Sequence, residues 1–139
     1  MSESHIRANA ELVRKVARES LDVDVAYDEA GVRWLDGYID NQRENAEPDV
    51  KERLPSTLGS YLGECVRTTF GGDWIQDPEG GWGVRINEKL TVFPFNKVRE
   101  QLSDSEGNSV LAFFNTIAAL LQGKPPNAAA PKRPSWKFW

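Results

Sequence analysis

The sequence feature that most constrains the fold is a change of period at a pair of glycines, Gly71 and Gly72. Before the pair, residues 57–70 carry apolar side chains at helical spacing. After it, residues 74–93 alternate between apolar and polar positions, as strands do. Glycine readily adopts the left-handed conformation that closes a helix. We therefore expect a helix to end here and a sheet to begin.

Three short strands are predicted between residues 73 and 93. Pro78 and the glycines after it form a turn between the first two strands. Trp82, Val84 and Ile86 alternate with Gly83 and Arg85, which is typical of a half-buried strand. A tight connection then leads into the third strand, over residues 89–93. The pattern predicts a three-stranded antiparallel meander.

Helices are predicted before this sheet. Residues 3–21 have an amphipathic helical pattern, with Val16 on the apolar face. Asp28 is a natural N-cap for a second helix to about residue 46. A short helical piece starts at Pro48 and is ended or kinked by Pro55, because proline removes a backbone donor. Ser56 then caps the helix over residues 57–70.

Two further helices are predicted after the sheet. Asn96 can cap a short one, and Ser109 or Asn108 can cap the last, over residues 110–122. This last segment is the most hydrophobic in the chain, so we expect it to be the central core helix. The fold class is therefore α+β, with N-terminal helices, the meander, and C-terminal helices packed on the sheet. We expect residues 1–123 to form a single domain, followed by a basic tail rich in proline and alanine over residues 124–139.

The charge distribution narrows the class of partner. The net charge of the 139-residue chain is −4, and residues 123–139 hold four of the 17 basic residues and none of the 21 acidic ones. Residues 1–122 therefore carry a net charge of −8, which repels nucleic acid and attracts basic partners. We expect no nucleic acid partner. No apolar run approaches the roughly 20 residues of a membrane span. The absence of a signal-type N-terminus and the single cysteine predict a cytoplasmic protein.

Residues that usually carry catalysis or bind metals are scarce. His5 is the one histidine and Cys65 the one cysteine, which argues against a zinc site. Cys65 falls on an apolar helix stripe, as an inert core cysteine would. The glycines at positions 80, 81 and 83 join two strands, whereas phosphate-binding loops lead into a helix. We predict no catalytic residue, no metal and no cofactor.

A ligand-binding cleft is one hypothesis for the glycine-rich helix. Gly59 and Gly63 lie one turn apart and predict close packing, and Glu64 follows directly. Glu64 and Tyr61, with Trp74 and Trp82 of the hairpin, are the candidate ligand-binding residues. The alternatives for Glu64 are a solvated surface carboxylate or an ion pair with an arginine at position 67 or 85.

The aromatic C-terminus is the candidate partner-binding element, with Trp136, Phe138 and Trp139 as its residues. Large aromatic side chains bury nothing unless they dock. Three interpretations stay open: a disordered end, docking on the same chain or on a second copy, and recognition of another protein or a membrane interface.

Several segments resemble a group of small uncharacterised bacterial proteins. The similarity lies in residues 34–39 (WLDGYI), 58–64 (LGSYLGE), 81–84 (GWGV) and 94–98 (PFNKV), within roughly residues 25–121. The resemblance implies a single helix-and-sheet domain of bacterial, intracellular origin. It implies no activity and no catalytic residue.

The leading hypothesis is a non-enzymatic protein-binding module, regulatory or of the immunity type, with a basic protein as the favoured partner. Its basis is the acidic body, the scarcity of catalytic residue types and the terminal aromatics. The alternative is a small-ligand binder or enzyme with a cleft near Glu64 and the Trp74–Trp82 hairpin. A third hypothesis is self-association through the tail.

Overall fold

The described part of the chain consists of three helices, then an antiparallel sheet, then two more helices. The computed structural model describes residues 1–79, 81–104 and 109–123. The elements in these ranges are α1 (Glu3–Leu21), α2 (Glu29–Asn45), α3 (Pro48–Phe70), β1 (Asp73–Asp77), β2 (Gly81–Asn87), β3 (Leu90–Val92), α4 (Pro94–Ser103) and α5 (Val110–Leu121). The α+β class predicted from the sequence is confirmed.

The helix caps follow from short polar side chains at the predicted boundaries. The Asp28 carboxylate accepts a hydrogen bond from the Gly31 N–H at 2.9 Å and begins α2. The Ser109 hydroxyl accepts one from the Ala112 N–H at 2.9 Å and begins α5. Each cap satisfies a backbone donor that the first helical turn leaves free. Both predictions are confirmed, with Ser109 rather than Asn108 as the second cap.

The predicted helix end at Pro55, with a new helix capped by Ser56, is wrong, because α3 is one helix that passes through this proline. The Ser56 hydroxyl donates to the Arg53 carbonyl at 3.0 Å, so Ser56 is not an N-cap. The Thr57 hydroxyl likewise donates to the Leu54 carbonyl at 3.2 Å. Pro55 itself is buried. Tertiary packing thus outweighs the roughly 3 kcal/mol that an internal proline costs a helix.

The predicted cap at Asn96 is also wrong. Helix α4 begins at Pro94, and no side chain caps it. Proline suits the first helical position because its fixed φ matches the helix and its missing N–H has no partner there. The Asn96 side chain instead accepts a hydrogen bond from Arg99 Nη1 at 2.9 Å.

The sheet is a meander in the order β1–β2–β3 with antiparallel pairs throughout. Trp74 pairs with Val84, which in turn pairs with Val92. A register irregularity lies between Arg85 and Asn87 on β2. This strand packs against α3 and α4. The sheet therefore covers one side of the helical layer.

Helix α3, not α5, is the central helix. It contacts α1, α2, α4, α5 and β2, whereas α5 packs mainly on α2 and α4. The prediction of a central α5 was wrong because a helix's own apolar content does not fix how many neighbours surround it. Leu121, near the end of α5, remains 40% exposed. Buried side chains from all five helices and from the sheet form one hydrophobic core.

Candidate functional site

The four predicted ligand-binding residues do not line one cleft. Glu64 and Trp74 are in direct contact, whereas Tyr61 lies in the core near α2 and Trp82 lines a separate cleft. Their role in ligand binding stays a prediction. Their surroundings differ enough that each is described separately.

Glu64 is a buried carboxylate held by two donors. Its Oε2 atom accepts hydrogen bonds from Trp74 Nε1 and from Arg67 Nη1, each at 2.8 Å. Arg67 Nε also donates to the Gly72 carbonyl at 3.2 Å. These bonds connect the last turns of α3 with the start of the sheet. Of the alternatives open at the sequence level, the ion pair with Arg67 is the one present, and the carboxylate has a structural role at this joint.

The glycine strip of α3 receives two aromatic rings. A Cβ atom on Gly63 would overlap the six-membered ring of Trp74, and one on Gly59 would overlap the Phe95 ring and lie 2.9 Å from the Phe95 Cα atom. The two rings pack on each other with centroids 5.8 Å apart. The close packing predicted from the glycines is confirmed, and no room for a ligand is left between the glycines and the rings.

Tyr61 is fully buried beside the N-terminal end of α2. Its hydroxyl donates to the Ala26 carbonyl, and its ring meets the Trp34 ring edge-on with centroids 6.2 Å apart. Burial raises the pKa of the Tyr61 phenol well above its ordinary value. One turn further along α3, burial raises the pKa of the Cys65 thiol to about 12. Both groups are neutral at physiological pH, and the buried thiol is unreactive, since the thiolate is the nucleophile.

Trp82 lines a cleft of about 250 Å³ near the start of α4. We call this the Trp82 cleft; its other walls include Ser56, Phe95, Asn96 and Arg99. The Trp82 side chain is half-buried, and the exposed Arg99 side chain donates a hydrogen bond to Asn96 Oδ1 at 2.9 Å. A flat aromatic surface beside a cation suits a small anionic ligand. Glu64 is not among the residues that line this cleft.

A second concave surface lies between α1, α2 and α3, and it is almost entirely apolar. It encloses about 160 Å³. We call it the apolar groove; its walls are Leu12, Val16, Leu21, Trp34, Tyr38 and Leu54. Val13, Thr57 and Leu58 complete the lining. None of these nine side chains is charged, so the groove favours an apolar occupant.

The groove contains the most exposed large apolar side chains of its three helices. Leu12 is 47% exposed, Leu21 45% and Val16 42%. The Trp34 and Tyr38 rings are half-buried and stack on each other with centroids 5.2 Å apart. Contiguous exposed apolar residues of this kind mark interaction sites more often than isolated ones do. The groove is therefore a candidate interaction surface.

The sequence reasoning missed this groove because Val16 reads as part of the buried face of α1. The apolar stripe of α1 is wider than the strip that α3 covers, so Ile6, Ala10 and Ala17 are buried while Leu12 and Val16 are not. The spacing of Trp34 and Tyr38, four residues apart on α2, is the sequence signal that could have indicated this surface.

No family model, curated protein or solved structure matches the chain. The resemblance to small bacterial proteins therefore stays a prediction. None of the helices in the described ranges is both long and apolar enough to cross a membrane. Among the same residues, no group of three or more histidine, cysteine or acidic side chains is arranged to hold a metal ion. The predicted partner-binding residues Trp136, Phe138 and Trp139 lie outside the described part of the chain.

Proposed function

We propose that this chain is a non-enzymatic protein-binding module that receives an apolar segment of a partner protein in the apolar groove. The observation that carries the proposal is the groove itself, with Leu12, Val16 and Leu21 each more than 40% exposed on its α1 side. Transfer of such side chains out of water gives roughly 25 cal/mol per Å² of apolar area. A partner that covers them gains this energy without disturbing the core.

The chemistry of the buried polar groups supports a binding role over a catalytic one. The Glu64 carboxylate is occupied by Arg67 and Trp74, and the Tyr61 hydroxyl by a backbone carbonyl. The Cys65 thiol is held protonated by burial. Tyr61 and Cys65 are fully buried, and the Glu64 side chain is 11% exposed with its Oε2 atom bound by two donors, which favours a structural role for these three groups.

The preferred partner presents an apolar, aromatic-bearing segment flanked by basic residues. The stacked Trp34 and Tyr38 rings favour an aromatic anchor, because offset and edge-on ring pairs add about 0.5–1.5 kcal/mol beyond area burial. The net charge of −8 on residues 1–122 favours approach of a basic segment. Binding of a basic, apolar segment in the groove fits the role of a regulatory protein or an immunity-type inhibitor.

A photo-crosslinker placed in the groove tests the proposal. The change Leu12→p-benzoylphenylalanine puts the reactive group on a side chain that is 47% exposed, and Leu121→p-benzoylphenylalanine is a matched control at 40% exposure on α5. Irradiation in cells of the source organism is followed by mass spectrometry. We expect a partner that crosslinks from position 12, does not crosslink from position 121, and is lost when Val16→Asp is added. Equal crosslinking from both positions, or none from position 12, contradicts the proposal.

The alternative function is a small-ligand binder at the Trp82 cleft, favoured by the juxtaposition of Trp82 with the Arg99 guanidinium. Thermal shift measurements with a panel of aromatic carboxylates and phosphates test it. A stabilising compound whose effect is lost in Arg99→Gln supports this function. A panel without any Arg99-dependent effect argues against it.

A further inference from the structure

The apolar groove has a candidate occupant within the same chain. We propose that the aromatic C-terminus, residues 136–139, docks in the groove of its own chain and thereby competes with the partner. This inference rests on the proposed function for its regulatory meaning. The docking itself is a property of the isolated chain and is tested there.

The first argument is chemical match. The C-terminus presents Trp136, Phe138 and Trp139 with a single lysine between them, and the groove presents stacked aromatic rings among aliphatic side chains. The polar side-chain groups of the groove lining are the Thr57 and Tyr38 hydroxyls and the Trp34 indole N–H, and the lining has no charge. Aromatic side chains without charge are the occupants that such a lining favours.

The second argument is reach. The described chain ends at Gly123, just after α5, and α5 packs against α2, the helix that carries Trp34 and Tyr38. Twelve residues separate Gly123 from Trp136. Fully extended, they span about 40 Å. The linker has to follow the surface of the domain. Because α5 packs directly on α2, the path from α5 to Trp34 and Tyr38 passes around a single helix about 10–12 Å across, which the linker can span.

The third argument is charge. The tail carries Lys124, Lys132, Arg133 and Lys137 and no acidic side chain, against a body of net charge −8. Glu19 is exposed and lies about one helical turn from Val16 on α1. A carboxylate one turn from a groove residue attracts a lysine flanked by docked aromatics. The attraction is modest at a solvated surface and adds to the apolar contact.

Docking within one chain is favoured over docking between chains by effective concentration. A short linker holds a tethered segment at a local concentration in the millimolar range. At low micromolar protein concentration, the tail of the same chain therefore outcompetes the tail of a second copy. A partner must displace it, which makes the tail an internal competitor for the binding site.

Photo-crosslinking of the purified full-length chain tests the proposal. The change Phe138→p-benzoylphenylalanine places a reactive aromatic group in the C-terminus. After irradiation at low micromolar concentration, we expect products of monomer mass whose crosslinks map to the groove walls on α1, α2 or α3. Addition of Val16→Asp lowers this yield about tenfold or more, because a docked ring leaves the new carboxylate without solvation. Addition of Leu121→Ser, at an equally exposed apolar residue outside the groove, leaves it unchanged.

Other outcomes overturn the proposal. Products of dimer mass assign the groove to the tail of a second copy. Crosslinks to other surfaces, or a yield insensitive to Val16→Asp, separate the tail from the groove. Leu12→Ser is a second groove variant if Val16→Asp alters the fold, which circular dichroism detects. None of these readouts involves a partner, so this test is independent of the test of the proposed function. If a partner crosslinks in the groove but the tail does not, the proposed function stands and the tail is not a competitor.

Discussion

Two faces of helix α3 show how similar residues serve different purposes. On one face, Gly59 and Gly63 are covered by the Phe95 and Trp74 rings so closely that a methyl group has no room. On another face, Leu54 and Leu58 line the apolar groove. The Trp34 and Tyr38 rings there are stacked but only half-buried. We call the first the sealed face. Aromatic residues near glycine build the fold, whereas aromatic residues beside exposed aliphatic ones leave a surface to be covered.

The polar atoms follow the same division. On the sealed face, the Trp74 indole N–H has a dedicated acceptor in Glu64, which Arg67 neutralises. Within the described residues, every buried side-chain nitrogen or oxygen atom has a hydrogen-bond partner. A satisfied buried network rigidifies its surroundings and specifies one packing arrangement. The groove offers little polar chemistry, so its occupant must be selected by shape and apolar contact.

The largest predicted effect is that of Trp74→Ala on the sealed face. The change removes a ring that is buried against Gly63 and Phe95, and it deprives the Glu64 carboxylate of a donor. Loss of a buried aromatic ring costs about 3–5 kcal/mol. We expect a loss of that size in the free energy of unfolding, measured by urea denaturation. Trp82→Ala is the control: this half-buried residue lies on the same hairpin, and its replacement should cost markedly less. Equal losses of unfolding free energy in the two variants would show that the buried contacts of Trp74 contribute no more to stability than those of Trp82.

A smaller effect is expected for Gly63→Ala. The added methyl group overlaps the Trp74 ring, which must move against Phe95 and Pro94. Overpacking of this kind costs about 1–3 kcal/mol. Gly37→Ala in α2 is a matched control, because its Cβ has nothing within 4 Å. Alanine there should stabilise the helix by up to about 1 kcal/mol. Thermal or urea denaturation measures the change in the free energy of unfolding for both variants, and we expect the two changes to have opposite signs. Changes of the same sign would contradict the close packing inferred at Gly63.

The sequence predicted the sealed face better than the groove, and the reason is physical. Local backbone geometry depends on residues that are close in sequence, so it can be predicted from the sequence. It determines the roles of Gly59 and Gly63, of the pair Gly71 and Gly72, and of the helix cap Asp28. For Glu64 the sequence left open a ligand site, a solvated carboxylate and an ion pair with Arg67 or Arg85, and the structure contains the pair with Arg67. The Trp74 indole contact was not foreseen, because it depends on how β1 folds back on α3.

The continuous helix at Pro55 and the exposure of Val16 were missed for a related reason. Both depend on which neighbours pack against a helix: Pro55 is buried inside α3, while Val16 lies where α3 leaves part of α1 uncovered. Local propensity counts the cost of a proline or the presence of an apolar stripe. It does not reveal the tertiary contacts that offset the cost of a proline. It also does not reveal whether a neighbouring element covers the whole apolar stripe.

Glu64→Gln tests whether the buried carboxylate belongs to the fold. The amide keeps the shape and can still accept one hydrogen bond, but the ion pair with Arg67 is lost. Hydrogen bonds to charged groups are worth more than neutral ones, so we expect a loss of about 1–2 kcal/mol in the free energy of unfolding. Glu29→Gln removes an exposed pair with Arg33 and should cost less than about 0.5 kcal/mol. An unchanged stability in Glu64→Gln would reopen a functional role for this residue.

Val16→Ser is expected to have the smallest effect on stability, and this is what separates the groove from the sealed face. The side chain is already 42% exposed, so its replacement should lower the free energy of unfolding by less than about 1 kcal/mol. Val13→Ser, one turn earlier on α1 with 7% exposure, is the matched control and should cost more, because its hydroxyl is placed against apolar neighbours. Crosslinking from position 12 should nevertheless weaken in Val16→Ser. A variant that keeps its stability and loses its partner identifies a binding surface, whereas a large loss of stability would mean that Val16 belongs to the core after all.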